Sequence, residues 1–119
     1  MNILIADDEF EIATAVGEAL REDGHTVDIV PDGKKALEYL QSKSYHVVIL
    51  DHNMPEVTGL ELAKYIREHH FPTKVVIVSG YPVFEEFFAR SLGADEVVIK
   101  PFTLEIIRKV IARYLTPSS

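Results

Sequence analysis

Asn2-Ile3-Leu4-Ile5-Ala6-Asp7-Asp8 is the stretch on which the fold turns: a short, continuous apolar run that stops abruptly at two acids. The same figure recurs along the chain. His46-Val47-Val48-Ile49-Leu50 leads to Asp51, Lys74-Val75-Val76-Ile77-Val78 leads to Ser79, and Val97-Val98-Ile99 leads to Lys100. Unbroken runs of Val and Ile are expected of parallel strands covered on both faces. In an open parallel sheet, a site lies outside the carboxyl ends of the strands, at a topological switch point. Residues distant in sequence are therefore expected to face one pocket holding three acids, a hydroxyl and one cation. Such a pocket suits a divalent cation and a phosphoryl group.

Outward from those strand ends, the chain alternates apolar runs with segments of helical period. Strands are predicted at Ile3–Ala6, Thr26–Val30, Val47–Leu50, Val75–Val78 and Val97–Ile99. The last helical segment carries one stripe of Leu104, Ile107, Val110, Ile111, Tyr114 and Leu115, with Glu105, Arg108, Lys109 and Arg113 mainly off it. Phe10, Ala13, Val16 and Leu20 mark the first helix, despite Gly17, which costs up to ~1 kcal/mol relative to Ala. Ala36, Leu37 and Leu40 mark the second, Leu62, Ala63 and Ile66 the third, and Phe84, Phe87, Phe88 and Leu92 the fourth. Turns are signalled at Pro31-Asp32-Gly33, Asn53-Met54-Pro55, Tyr81-Pro82 and Gly93-Ala94. Five βα units with right-handed crossovers predict a three-layer α/β sandwich.

Composition narrows the functional classes. The 119 residues suit one domain that buries roughly two-thirds of its unfolded surface. With 19 acidic against 12 basic residues the formal net charge is −7, and no dense basic run is present, which argues against direct nucleic-acid binding. Without cysteine there is no disulfide or thiol chemistry. No basic leader region and no apolar run near the ~20 residues of a membrane span is seen, so a soluble, cytoplasmic chain is expected.

Taken together, Asp7-Asp8, Asp51-His52-Asn53-Met54-Pro55 with Gly59, Ser79-Gly80, Gly93-Ala94-Asp95 and Lys100-Pro101-Phe102 resemble the receiver domain of bacterial two-component response regulators. Any one element is weak, but five in order, each at a strand end, are specific. The resemblance covers nearly the whole chain, with residues 1–116 as the receiver and 117–119 as a tail or the start of a linker. It implies a flavodoxin-like fold, with a five-stranded parallel sheet in the order 2-1-3-4-5 and five helices. It also implies a cis peptide before Pro101, aiming Lys100 into the pocket.

Magnesium favours octahedral oxygen ligation and keeps several waters, so one or two carboxylates plus a phosphate suffice. Clustered acids repel one another unless a cation sits among them. Asp8 and Asp51 are the expected direct ligands of Mg2+, with Asp7 acting through water. The resemblance adds the backbone carbonyl of Asn53. Asp51 is the expected phosphoacceptor, attacking phosphorus to form an acyl phosphate. Lys100 would neutralise charge on the transferring group, and Ser79 would hydrogen-bond a phosphoryl oxygen, with Gly80 leaving the approach open.

Several residues invite other readings. His69-His70 is read as a solvated helix end, where partial positive charge suits the helix dipole, and His52 as a rim residue. Phe84, Phe87 and Phe88 are read as core in preference to a partner surface. Receivers usually carry Tyr or Phe three residues before the lysine, a ring that turns inward on phosphorylation; here the position is Val97. Coupling is therefore expected through the Ser79–Pro82 loop and the phenylalanine helix.

The leading functional expectation is a signalling switch fed by a histidine kinase or histidine phosphotransfer protein, acting on an output domain or partner, as a monomer or a transient homodimer. Its length fits either a stand-alone regulator or the first piece of a longer one. An interaction module that has lost phosphorylation is the alternative. A magnesium phosphohydrolase of the haloacid dehalogenase type is a third class, but it calls for a second Asp where this chain has Asn53. A flavin or nucleotide site is disfavoured, because the loop after the first strand is acidic where a phosphate cradle needs glycines and exposed amides.

Overall fold

Every strand expected from the apolar runs is present, and the strands pair in parallel in the order β2-β1-β3-β4-β5. The computed structural model describes residues 1–54, 56–80, 90 and 93–115. The strands are β1 (Asn2–Ala6), β2 (Thr26–Val30), β3 (Val47–Asp51), β4 (Lys74–Ser79) and β5 (Glu96–Ile99). Four helices are seen among the described residues: α1 (Phe10–Glu22), α2 (Gly33–Ser42), α3 (Gly59–Glu68) and α4 (Leu104–Leu115). Phe84, Phe87, Phe88 and Leu92, expected to mark a further helix, lie outside the described residues, as do Pro55, Tyr81, Pro82 and the 116–119 tail.

The period-two alternation of each strand divides the core into two layers. Leu4, Val48, Leu50, Val75 and Ile77 pack with Ala36 and Leu40 of α2 and with Leu62, Ala63 and Ile66 of α3. Ile3, Ile5, Val47, Ile49, Val76 and Val78 face the other way, onto Ala13, Val16 and Leu20 of α1 and Ile107, Val110 and Ile111 of α4. A three-layer α/β sandwich results. No helix among the described residues is long and apolar enough to cross a membrane.

Two helical stripes depart from expectation at their ends. Phe10, placed on the buried face of α1 by its spacing, is 74% exposed, and Leu104 and Leu115 at the ends of α4 are exposed as well. All three sit in the terminal turns of their helices.

Strand register sets the functional end of the molecule. Ala6 lies beside Val30 and Leu50, Asp51 beside Val78, and Ser79 beside Ile99. Four strands thus stop level with one another, and Asp7, Asp51, Ser79 and Lys100 emerge along a single rim. Gly59 opens α3 directly beneath it: a Cβ there would stand 3.0 Å from the Asp51 carbonyl oxygen and 3.2 Å from His52 Cα. The adjoining turn is held by a capping box, in which Thr58 Oγ1 accepts from the Glu61 N–H and the Glu61 carboxylate accepts from the Thr58 N–H.

The opposite end, where the strands begin, is tied by side chains. Arg67, near the end of α3, donates to the carbonyls of Gly93 (2.8 Å) and Thr73 (3.2 Å) and pairs with Asp95. Asp95 Oδ2 also accepts from the Val75 N–H at 2.8 Å. Tyr45 donates to Asp28 at 2.7 Å, with Lys43 on the same oxygen, while the Thr73 hydroxyl donates to the Tyr45 carbonyl at 2.8 Å.

Candidate functional site

Asp51 is the last residue of β3 and its side chain is 1% exposed. A carboxylate that is buried needs partners, and each oxygen has one. Oδ1 accepts from the Asn53 N–H at 3.1 Å, and Oδ2 accepts from Lys100 Nζ at 3.1 Å. The pairing with Lys100 joins groups from β3 and the end of β5. The Lys100–Pro101 peptide is cis, as the resemblance implies. Ser79, the final residue of β4, is 1% exposed, and its carbonyl accepts from the Lys100 N–H at 2.8 Å.

Asp7 and Asp8 follow β1. Asp7 is buried, with its N–H bonded to the Val30 carbonyl and its Oδ1 accepting from the Glu9 N–H at 2.8 Å. Burial pushes the Asp7 carboxyl up to about 6; the hydrogen bond from Glu9 opposes this and the charge of Asp51 adds to it. Asp8 is exposed at the mouth. One ligand oxygen from each of Asp7, Asp8, Glu9 and Asp51 can be chosen such that all lie within 4.8 Å of one another. Hard carboxylate oxygens crowded this closely, one already holding its proton more tightly, are the donor set and the electrostatics that a divalent cation relieves. The residues present therefore fit Mg2+.

Lys100 has a second partner, Glu9. Glu9 Oε1 accepts from Nζ at 3.1 Å, so the ammonium lies between a buried and an exposed carboxylate. Burial works against the charged lysine, but the hydrogen bonds to Glu9 and Asp51 outweigh it and raise its pKa above the ordinary lysine range. Nothing local in the sequence marks this contact, because Glu9 and Lys100 are 91 residues apart and only the fold brings them together.

The other singled-out residues fall where their surroundings place them. His69 is the C-cap of α3, exposed, with Nδ1 2.9 Å from the Tyr65 carbonyl and its ring 4.0 Å from that of Tyr65. His52 is half-buried beside Asp51. Val97 is 9% exposed and belongs to the core layer under α2 and α3. Of the Asn53-Met54-Pro55 turn, Asn53 and Met54 are described, and the Asn53 N–H donates to Asp51 Oδ1.

A parallel sheet in this order, with acids at the ends of its first and third strands and a lysine at the end of its fifth, defines a class, and comparison with known proteins agrees. The response regulator receiver domain family model matches residues 3–112, and the chain belongs to that family. It is 35% identical over 104 residues to the response regulator ArlR of Staphylococcus epidermidis, covering 87% of this chain and 48% of that protein. It is 36% identical over 114 residues to the transcriptional regulatory protein CutR of Streptomyces coelicolor, covering 94% of this chain and 52% of CutR. The chain thus spans about half the length of these curated relatives. Among solved structures, the receiver domain of Francisella response regulator 1452 superposes with a TM-score of 0.88 at 31% identity, covering 96% of each chain. Thermotoga maritima TrrA, determined in complex with Mg(2+)-BeF, gives 0.85 at 32% identity, covering 95% of this chain and 97% of TrrA.

Proposed function

We propose that this receiver is a phosphorylation-dependent switch in which Asp51 accepts a phosphoryl group from a histidine kinase or histidine phosphotransfer protein. The observation that carries the reading is the convergence of a buried carboxylate, its lysine partner and a knot of acids on one rim of the sheet. An Asp51 oxygen attacks phosphorus, the P–N bond of the donor phosphohistidine breaks, and the imidazole nitrogen leaves with its electron pair. Lys100, already 3.1 Å from Asp51 Oδ2, turns to the phosphoryl oxygens as they arrive and balances their charge. Ser79, the last residue of the neighbouring strand, would donate its hydroxyl to the same group. Mg2+ would be held by Asp8 and Asp51 directly, by Asp7 through water and by the Asn53 carbonyl. When bound it supplies charge neutralisation of the phosphoryl oxygens. Hydrolysis of the acyl phosphate by water, within the same pocket, resets the switch.

The phosphorylated state favours a second conformation that acts on an output domain or partner. Val97 has no ring to swing inward, so coupling runs from Ser79 through the loop that follows it. Intact mass after incubation with acetyl phosphate and magnesium tests the reading, beside Asp51→Asn and a metal-free control. A gain of one phosphoryl group that both controls abolish is expected. No adduct, together with no binding of beryllofluoride, would favour an interaction module without phosphorylation.

A further inference from the structure

Glu9 breaks a local rule. It is the N-cap of α1, a position that favours Ser, Thr, Asp or Asn, whose short side chains reach back to the first free N–H groups. Glu is longer, and the Glu9 side chain makes no capping hydrogen bond. Its carboxylate is instead directed at Lys100 Nζ, 3.1 Å away. Departures of this kind from local consistency concentrate at functional sites. The Glu9 backbone is meanwhile held by the Asp7 carboxylate through its N–H, which fixes where the side chain starts.

The result is a gradient of exposure from the interior outward: the Asp51 side chain at 1%, Lys100 at 22% and Glu9 at 52%. The ammonium is shared between two carboxylates at equal distances, and an incoming phosphoryl group needs that same ammonium. Asp51 is the atom being modified and yields its contact as the reaction proceeds. Glu9 is not modified and keeps competing. A second face of the pair, lined among the described residues by Ile12, Ala15, Val16, Pro101, Phe102 and Leu104, is apolar.

We propose that Glu9 is a positioning residue that tethers Lys100 at the mouth of the pocket and competes with the phosphoryl group for its ammonium, holding down the affinity of the site for phosphoryl anions. The inference rests on the reading of Asp51 as phosphoacceptor, and its consequence is a weaker, more readily reversed phosphorylated state than Asp51, Ser79 and Lys100 alone would give.

Beryllofluoride with magnesium, titrated calorimetrically into the full chain, provides the test. Glu9→Gln is expected to bind about threefold to fivefold more tightly at low salt, the scale of one half-exposed ion pair, with the gain shrinking as salt rises. Glu9→Asp, one methylene shorter and a better helix cap, is expected to match Gln in affinity without lowering the melting temperature. A merely structural role would not produce that split. Glu11→Gln removes the same charge from an exposed first-turn position and is expected to change affinity much less. Equal affinity in wild type and Glu9→Gln overturns the proposal, and so does an equal gain in Glu11→Gln, which would reduce the effect to net charge. Weaker binding in Glu9→Gln also overturns it, placing Glu9 among the metal ligands. Failure of the wild type itself to bind beryllofluoride would instead bring down the phosphoacceptor reading, and this inference with it.

Discussion

Gly59→Ala separates the geometry of Asp51, the proposed phosphoacceptor, from the stability of the fold. The added Cβ would lie 3.0 Å from the Asp51 carbonyl oxygen, 3.2 Å from His52 Cα and 3.3 Å from the Asp51 carbonyl carbon. All three atoms are backbone at the end of a central strand, so no side chain can rotate away. Either α3 or the Asp51–His52 segment must shift by a few tenths of an ångström. Crowding of this kind costs about 1–3 kcal/mol, while replacing Gly by Ala in a helix returns up to about 1 kcal/mol. Net destabilisation of about 0–3 kcal/mol follows, less than the roughly 5–15 kcal/mol that holds a typical domain folded. Chemistry is less forgiving: a misplacement of about 1 Å can cost roughly 100-fold, so a few tenths should slow phosphorylation about threefold to tenfold. The assay is the time course of adduct formation with acetyl phosphate by intact mass, beside urea unfolding of the same sample. A rate within twofold of wild type would refute the reasoning, because it would mean that the end of β3 yields without moving its carboxylate.

Two further outcomes follow from the amino end of the sheet. Arg67→Ala removes hydrogen bonds to the Gly93 and Thr73 carbonyls and breaks the ion pair with Asp95. A loss of about 2 kcal/mol is expected, read as a lower urea midpoint at unchanged slope. The hydrogen bond from Tyr45 foremost, and Lys43 after it, hold Asp28 below the ordinary carboxylate range against partial burial. A depressed folded pKa contributes stability that is complete above the unfolded value and lost as pH falls through the folded one. Tyr45→Phe should therefore cost stability at neutral pH by an amount that shrinks as the solution is acidified below about pH 4; a difference constant from pH 7 to pH 3 would contradict this.

The sheet was legible because parallel strands buried on both faces need unbroken apolar runs, and such runs in this chain are few and well spaced. Strand ends were less so. Asp51 and Ser79 read as residues after their strands, yet both close the ladder as its last members. A polar residue can take the final pairing when its backbone is bonded and its side chain turns into a polar pocket. Phe10 misled in the opposite sense, since helical spacing says which residues share a face but not where the opposing layer stops. Asp7, Asp8, Asp51 and Lys100 were found from their positions at strand ends. Glu9 was not, nor were the Arg67–Asp95 and Tyr45–Asp28 pairs, because each depends on which loops the fold brings together and leaves no periodic trace.

The ties at the beginning of the strands have a meaning for how such a domain can diversify. Arg67, Asp95, Tyr45, Asp28 and Thr73 fasten the end of the sheet remote from Asp51 and Lys100, and no hydrogen bond described above links the two groups. The chain is in effect a clamp anchored at its base, with its jaws free to be re-cut. Residues around the pocket can drift in charge and size, altering how long a phosphoryl group stays, while the anchorage that keeps the domain folded is left untouched.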